Sequence, residues 1–484
     1  MLFLFLFYIA VQSGLGGAGP IPAFSYEPPR ILIRDDQIAD SRTVWDILWS
    51  CLSTIFLCTW ISMHPNLAFR PEKRDMGWWS QGWLWNTSRG ILEYECVLFL
   101  WTLLVPEYTL AWAIRQYVRA SQIQKQVPGW SKTQGFFMIM GGFHLYQLPD
   151  GAPSLALTLK NSSVSSFVIP FGHHSRYDEI PICPLQLSDV PVDVLQLIAP
   201  TEAELKDRGK SDWLAKLIVL MQTSWFIIRC IARGVRSLPL TDLEIITLAY
   251  ATLNFFIYLF WWGKPRCVDC PIRVYKTSTS TRRKRTKAPD KWNDKPFMRL
   301  IEKIAIYTVG YQDEYVDLTR EPRVPMFWSG KPEACSLSDA TLGASILGAV
   351  FGALHCIAWS SHFPSKAELL LWRVSCIGMI AVPLIVTLVC AVSRLSFKLE
   401  GEEPLWLTFI FAFCWISLIL SAWFYLAGRI ATLVIAFTTL RALPSEAFTA
   451  VNWTVFIPDR KFLIFSDLYT YESTLRFEWT LAIA

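Results

Sequence analysis

The sequence predicts an all-α, polytopic transmembrane helix bundle of about seven spans, with an N-terminal signal or anchor segment. Two observations carry that class. Seven mostly apolar stretches each reach the roughly 20 residues that a helix needs to cross a bilayer. The chain is also 53% hydrophobic and only 18% charged, against about 25% charged in a typical soluble domain. Its 23 Trp and 31 Phe suit the aromatic belts at the two membrane surfaces. The net charge of +5 gives no reason to expect a nucleic-acid partner.

The elements follow in order. Residues 1–19 join the apolar block Met1–Ala10 to the small-residue stretch Ser13–Gly19. That pattern fits a signal peptide, and the lack of a basic residue before the block keeps an uncleaved anchor open. The first two spans, Thr43–Met63 and Gly90–Ile114, fill residues 43–114. A polar loop region covers 115–212, in which Thr133–Tyr146 reads as a re-entrant or interfacial piece. A transmembrane hairpin, Trp213–Arg233 and Leu243–Trp262, fills 213–262 and leads into a basic loop at 263–340. Three further spans, Thr341–His362, Leu369–Val392 and Leu405–Ala427, fill 341–428, with Pro383 set to kink the second of them. Residues 429–484 read as an interfacial helix and tail, because the apolar pattern runs past Gly428 to Pro444 and overshoots a bilayer unless it bends there.

Orientation stays open. A cleaved signal places the two long basic loops outside, whereas the positive-inside bias prefers them in the cytosol and weakens for loops this long. Asn86, Asn161 and Asn452 begin glycosylation sequons. The cluster Arg282, Arg283, Lys284 and Arg285 suits anionic lipid headgroups if it is cytoplasmic; a solvated linker is the plainer reading.

Ionisable groups inside spans are costly and mark candidate sites. Gln222, Arg229 and Arg233 fall on one face of the third span, and Tyr250, Asn254 and Tyr258 on one face of the fourth. The short link between these spans predicts a polar seam, although arginines near a helix end also snorkel to the interface. Thr241 and Glu244 have capping-box spacing, so that carboxylate has a local role. In the second span Glu93 and Glu95 point apart, and Glu107 lies about 21 Å from Glu93 along the helix. No carboxylate pair forms there, and Glu107, just after Pro106, is the best single buried carboxylate. Ala344, Gly348 and Gly352 make a small-residue packing face, followed by His355, which titrates near neutrality when unperturbed. Cys267 and Cys270 form one C-x-x-C without a second pair, so no metal is called for. No nucleophile elbow, zinc helix motif or phosphate loop occurs, and no cofactor follows.

Several blocks resemble a large family of uncharacterised fungal multi-spanning membrane proteins: Trp45–Trp60, Thr133–Phe143, Gln222–Gly234, Leu238–Tyr250, Trp261–Pro265 and Ser445–Pro458. The resemblance implies a fungal source and an endomembrane or surface location, and a His in relatives where this chain has Gln134. It implies no mechanism. Three functions remain: a transporter- or channel-like protein or sensor, a membrane-embedded enzyme acting on a lipid or isoprenoid-like substrate through Glu107 with Arg229 or His355, and a membrane scaffold.

Overall fold

The computed structural model describes residues 41–67, 95–147, 154–156, 167–170, 180–209, 212–266, 268, 270–276, 300, 303, 306, 307, 310, 312–331, 334–398, 405–451 and 453. The chain divides into two units. In the smaller, Ser41 bridges Thr449 and the Arg42 amide donates to Phe448 O at 2.8 Å. The larger, Val44–Ala447, holds the bundle.

Its helices are α1 (Val44–Ser62), α2 (Val97–Leu104), α3 (Pro106–Gln126), α4 (Lys132–Ile139), α5 (Val192–Ile198), α6 (Glu202–Arg208), α7 (Asp212–Val235), α8 (Asp242–Phe260), α9 (Ala334–His355), α10 (Lys366–Lys398) and α11 (Leu405–Thr438). Among the described residues, six stretches are long and apolar enough to cross a membrane, or seven if α2 and α3 count as one span. A multi-pass helical bundle is therefore what this chain folds into. The second span, however, is not straight: α2 and α3 meet at 107°. Pro106 lacks the N–H that would continue the helix, and its ring excludes the preceding carbonyl. Val105 is pushed to φ −136°, ψ 68°, off the helical region, as expected of a residue before proline.

Two further expectations are corrected. The predicted bend near Gly428 is absent, since α11 is continuous through it; Gly428 faces Ser375 of α10, where an added Cβ would make ordinary contact. The regions read as polar and basic loops contain helices and strands among their described residues. Thr133–Tyr146 runs from α4 into the strand that follows it, and α4 is capped reciprocally by Ser131 and Gln134. Strands β1 (Phe143–Gln147), β2 (Ser154–Ala156), β3 (Phe167–Pro170), β4 (Ile180–Pro184) and β5 (Ile272–Lys276) build one sheet in the order β2-β3-β5-β1-β4. β1 pairs antiparallel with β4, with a bulge at Leu145/Tyr146, and parallel with β5. The residues following α3 and those following α8 thus meet at one end of the bundle.

Lys264 ties that end together. It is 2% exposed, and its ammonium donates to His64 O, to Gln116 Oε1 at 2.8 Å and to Asn66 Oδ1 at 3.3 Å. Three acceptors match the three donors of an ammonium. The Trp112 and Trp261 rings lie 4.8 and 4.7 Å from Nζ, where their faces attract a cation. Gln116 and Asn66 pass the network on to Trp328 O, which also accepts from Trp112 Nε1 at 2.8 Å. The exits of α1 and α8 and the middle of α3 are therefore held at one point.

The small-residue face of α9 packs as its spacing implies. A Cβ on Gly352 would lie 2.8 Å from the Met379 carbonyl carbon and 2.9 Å from the Ile380 amide, so α9 and α10 touch backbone to backbone. Gly352→Val is expected to lower stability by about 1–3 kcal/mol, read as a fall in the thermal midpoint of the purified protein in detergent. Ile346→Val on the same helix, 54% exposed, is the control and should leave the midpoint within error of the parent.

Candidate functional site

The break between α2 and α3 opens onto the most deeply buried charge in the described bundle. A helix end leaves its last carbonyls without partners, and no water is available to satisfy them within hydrocarbon. Leu103 O is met by the Tyr250 hydroxyl of α8, and Leu104 O by Arg429 Nε at 3.4 Å. Thr102 and Thr109 close the corner through their hydroxyls at 3.0 Å.

Arg429, of α11, is 0% exposed. Its Nη2 donates to the Tyr250 hydroxyl at 2.5 Å, and its Nη1 reaches His355 Nε2 at 3.3 Å and Met379 Sδ at 3.6 Å. The Phe351 and Tyr250 rings lie 4.4 and 5.0 Å from the guanidinium carbon. His355 Nδ1 sits 2.8 Å from Phe351 O. A carbonyl only accepts, so Nδ1 carries the proton and Nε2 accepts from Arg429. One side chain thereby engages α2, α8, α9 and α10.

Glu107 stands across the break, in the first turn of α3, where the helix dipole favours a negative charge. Both carboxylate oxygens are buried and neither has a hydrogen-bond partner. Arg429 acts on it electrostatically, and the Tyr425 hydroxyl and the Glu107 amide lie near enough to favour its charged form, yet neither is aligned for a well-formed hydrogen bond. Gly348 presses on the stem: a Cβ there would stand 3.0 Å from Glu107 Cγ and 3.3 Å from Pro383 Cγ.

The remaining candidates disperse. The hydrogen bonds of the two polar stripes do not join the third and fourth spans to each other: Gln222 and Asn254 turn toward α1, and Tyr250 toward α2 and Arg429. Gln222 donates to Thr54 Oγ1 at 3.2 Å. Asn254 accepts from Ser62 at 2.7 Å and donates to Thr59 Oγ1 at 3.3 Å. Arg233 is spent on Pro239 O and Ala447 O near its helix end, and half-buried Arg229 joins neither cluster. Glu244 completes the capping box with Thr241. Cys270 is exposed and unpaired. Among the described residues no group of three or more His, Cys, Asp or Glu side chains is arranged to hold a metal. Asn86, Asn161, Asn452, Glu93, Cys267, residues 1–19 and the cluster Arg282, Arg283, Lys284 and Arg285 lie outside the described residues.

The site residue that the sequence reading missed is Arg429. It is the only charged residue between Leu405 and Thr438, and that isolation was the available signal. A small cavity of about 40 Å³, lined by Arg119, Met138, Leu185 and Trp328 among others, lies away from this cluster and has room for waters rather than a substrate.

A second buried pair sits nearer the Lys264 end. Arg115 of α3 donates to Gly310 O, and Asp313 accepts from the Ser329 amide at 2.9 Å. Burial pushes the Asp313 carboxyl up to about 6 from 3.8, against the pull of Arg115 and Ser329.

Residues 192–280 match a family of unknown function, DUF8562. The match takes in α5 to α8, Lys264 and β5, and it leaves out Glu107, His355 and Arg429. No curated protein and no solved structure matches the chain significantly.

Two outcomes follow from this geometry. Arg429→Met leaves Leu104 O and His355 Nε2 without their donor and should cost on the order of 3 kcal/mol, measured as a lowered thermal midpoint. Arg429→Lys should not restore it, because one ammonium cannot reproduce the planar guanidinium's contacts to four helices at once. Asp313, with its folded value raised, contributes stability below about pH 4 that is lost as pH rises through about 6. A plot of thermal midpoint against pH should therefore be flatter in Asp313→Asn over that window.

Proposed function

We propose that this chain is a transporter- or channel-like multi-pass membrane protein whose working centre is the break between α2 and α3. The observation that carries the reading is an interrupted helix in mid-bundle with a buried cation at its carbonyl end and an unpartnered carboxylate at its amide end. Discontinuous helices of this kind build the substrate and ion sites of many transporters, since irregular backbone is tolerated at that depth only where protein or a water-filled path satisfies it.

The geometry also supports a re-entrant course. Both the exit of α1, through His64 and Asn66, and the second half of α3, through Gln116, meet Lys264. The connecting sequence contains Arg70, Glu72, Lys73, Arg74 and Asp75, too many charges for a further span. The α2–α3 pair then returns to the face that α1 left. The alternative, a lipid-processing enzyme using Glu107 with His355, is weakened because both imidazole nitrogens are already engaged. The resemblance supports an endomembrane or surface location in a fungus, and Arg282–Arg285 support contact with anionic headgroups.

The test is access. A single cysteine at Val105, in a chain whose native cysteines have been replaced, should react in proteoliposomes with a membrane-impermeant thiol reagent added from one side. Leu388→Cys, on a lipid-facing position 61% exposed, should not react. Labelling of Val105→Cys from neither side, with reaction only after solubilisation, would overturn the reading.

A further inference from the structure

We propose that Glu107 is a proton-binding site and that the proton is the ion coupled to events at the break. This rests on the break being the working centre. The argument starts from what the cluster leaves unsatisfied. A buried carboxylate without a well-formed hydrogen bond is a costly arrangement, and both Glu107 oxygens are in that state, with only the poorly aligned Tyr425 hydroxyl and the Glu107 amide beside them. The neighbouring guanidinium does not relieve them, because Nε, Nη1 and Nη2 point to Leu104 O, His355 and Tyr250.

Three kinds of ligand could remove the imbalance. A metal cation needs several oxygen ligands, and here it would stand beside Arg429 with one carboxyl group to hold it. An anion would find most guanidinium donors committed and Glu107 repelling it. A proton needs only one carboxylate oxygen. It arrives from the aqueous phase, forms an O–H bond that neutralises Glu107, and leaves by breaking that bond; no other bond changes. The groups facing Glu107 fit two such states. From α11 come Arg429 and Tyr425, and from α8 comes Tyr250, all acting on the same field. α9 and α10 present Gly348 and Pro383, which carry no charge, while His355 lies beyond Arg429. When Glu107 is charged, Arg429 balances it across the break. When it is neutral, Arg429 is balanced only by Tyr250 and the carbonyl end of α2. Protonation therefore changes how strongly α11 is drawn to the start of α3.

The full chain in lipid films, titrated with acid and followed by infrared difference spectroscopy, tests this directly. A carbonyl band of a protonated carboxylic acid should grow on acidification, disappear in Glu107→Gln, and persist at a shifted frequency in Glu107→Asp. Tyr425→Phe should move its midpoint to higher pH, because a hydroxyl that can turn to the carboxylate is lost. An unchanged band in Glu107→Gln, or no band that titrates, overturns the proposal even if Val105→Cys is labelled. A titrating Glu107 band with Val105→Cys unlabelled from either side overturns the coupling and leaves a proton site without a water-reachable path.

Discussion

Every backbone carbonyl placed in hydrocarbon must find a donor within the protein, and in this fold that constraint converges on Arg429. Pro106 ends α2 in mid-bundle, and the carbonyls it strands are met by Tyr250 and Arg429. Burying a guanidinium is itself expensive. The cost is offset by the carbonyl end of α2, by a lone pair of His355, by two aromatic faces and by the Glu107 charge nearby. No single term suffices, which is why five helices crowd around one side chain.

The Lys264 site solves the same problem without a carboxylate. Backbone and amide oxygens coordinate the ammonium, and tryptophan faces take the place of a counter-ion. Both sites share α3: Glu107 lies at one, and Gln116, about 13 Å further along the helix, lies at the other. This helix is anchored near its middle and lacks a well-formed hydrogen-bonded anchor at Glu107. The segment after Lys264 adds to the anchoring, where Phe327 adopts φ 64°, a costly conformation for a large residue, to set its ring against Tyr108 and Trp112 at 4.8 and 5.2 Å.

What was legible in the sequence was local. Apolar length marks the spans, the Thr241–Glu244 box follows from a spacing of three, and the packing of Gly348 and Gly352 follows from a spacing of four. Glu107 could be singled out because proline and a charge inside an apolar run are both anomalous. Arg429 was obscured by an adjacent glycine and an overlong helix, which together resemble a bend. Its partners come from four other helices, and no periodicity within α11 reports them. The seam between α7 and α8 failed for the same reason: a polar stripe states that a face needs partners but not which helix supplies them. The sheet was invisible because β1 and β5 lie far apart in the chain, within stretches whose polarity reads as loop.

That parallel pairing of β1 with β5 carries a consequence for biosynthesis. When β1 leaves the ribosome its partner has not been made, and two spans must be threaded into the bilayer before β5 appears. Until then the edge of β1 offers unpaired amide and carbonyl groups to any neighbouring chain. β4 emerges earlier and covers one edge, so a nascent β1–β4 ribbon waits with its other edge open for the hairpin to insert. Completion of the sheet thereby waits on the synthesis of α7 and α8, and a chain that stalls at that hairpin keeps one edge of β1 unpaired.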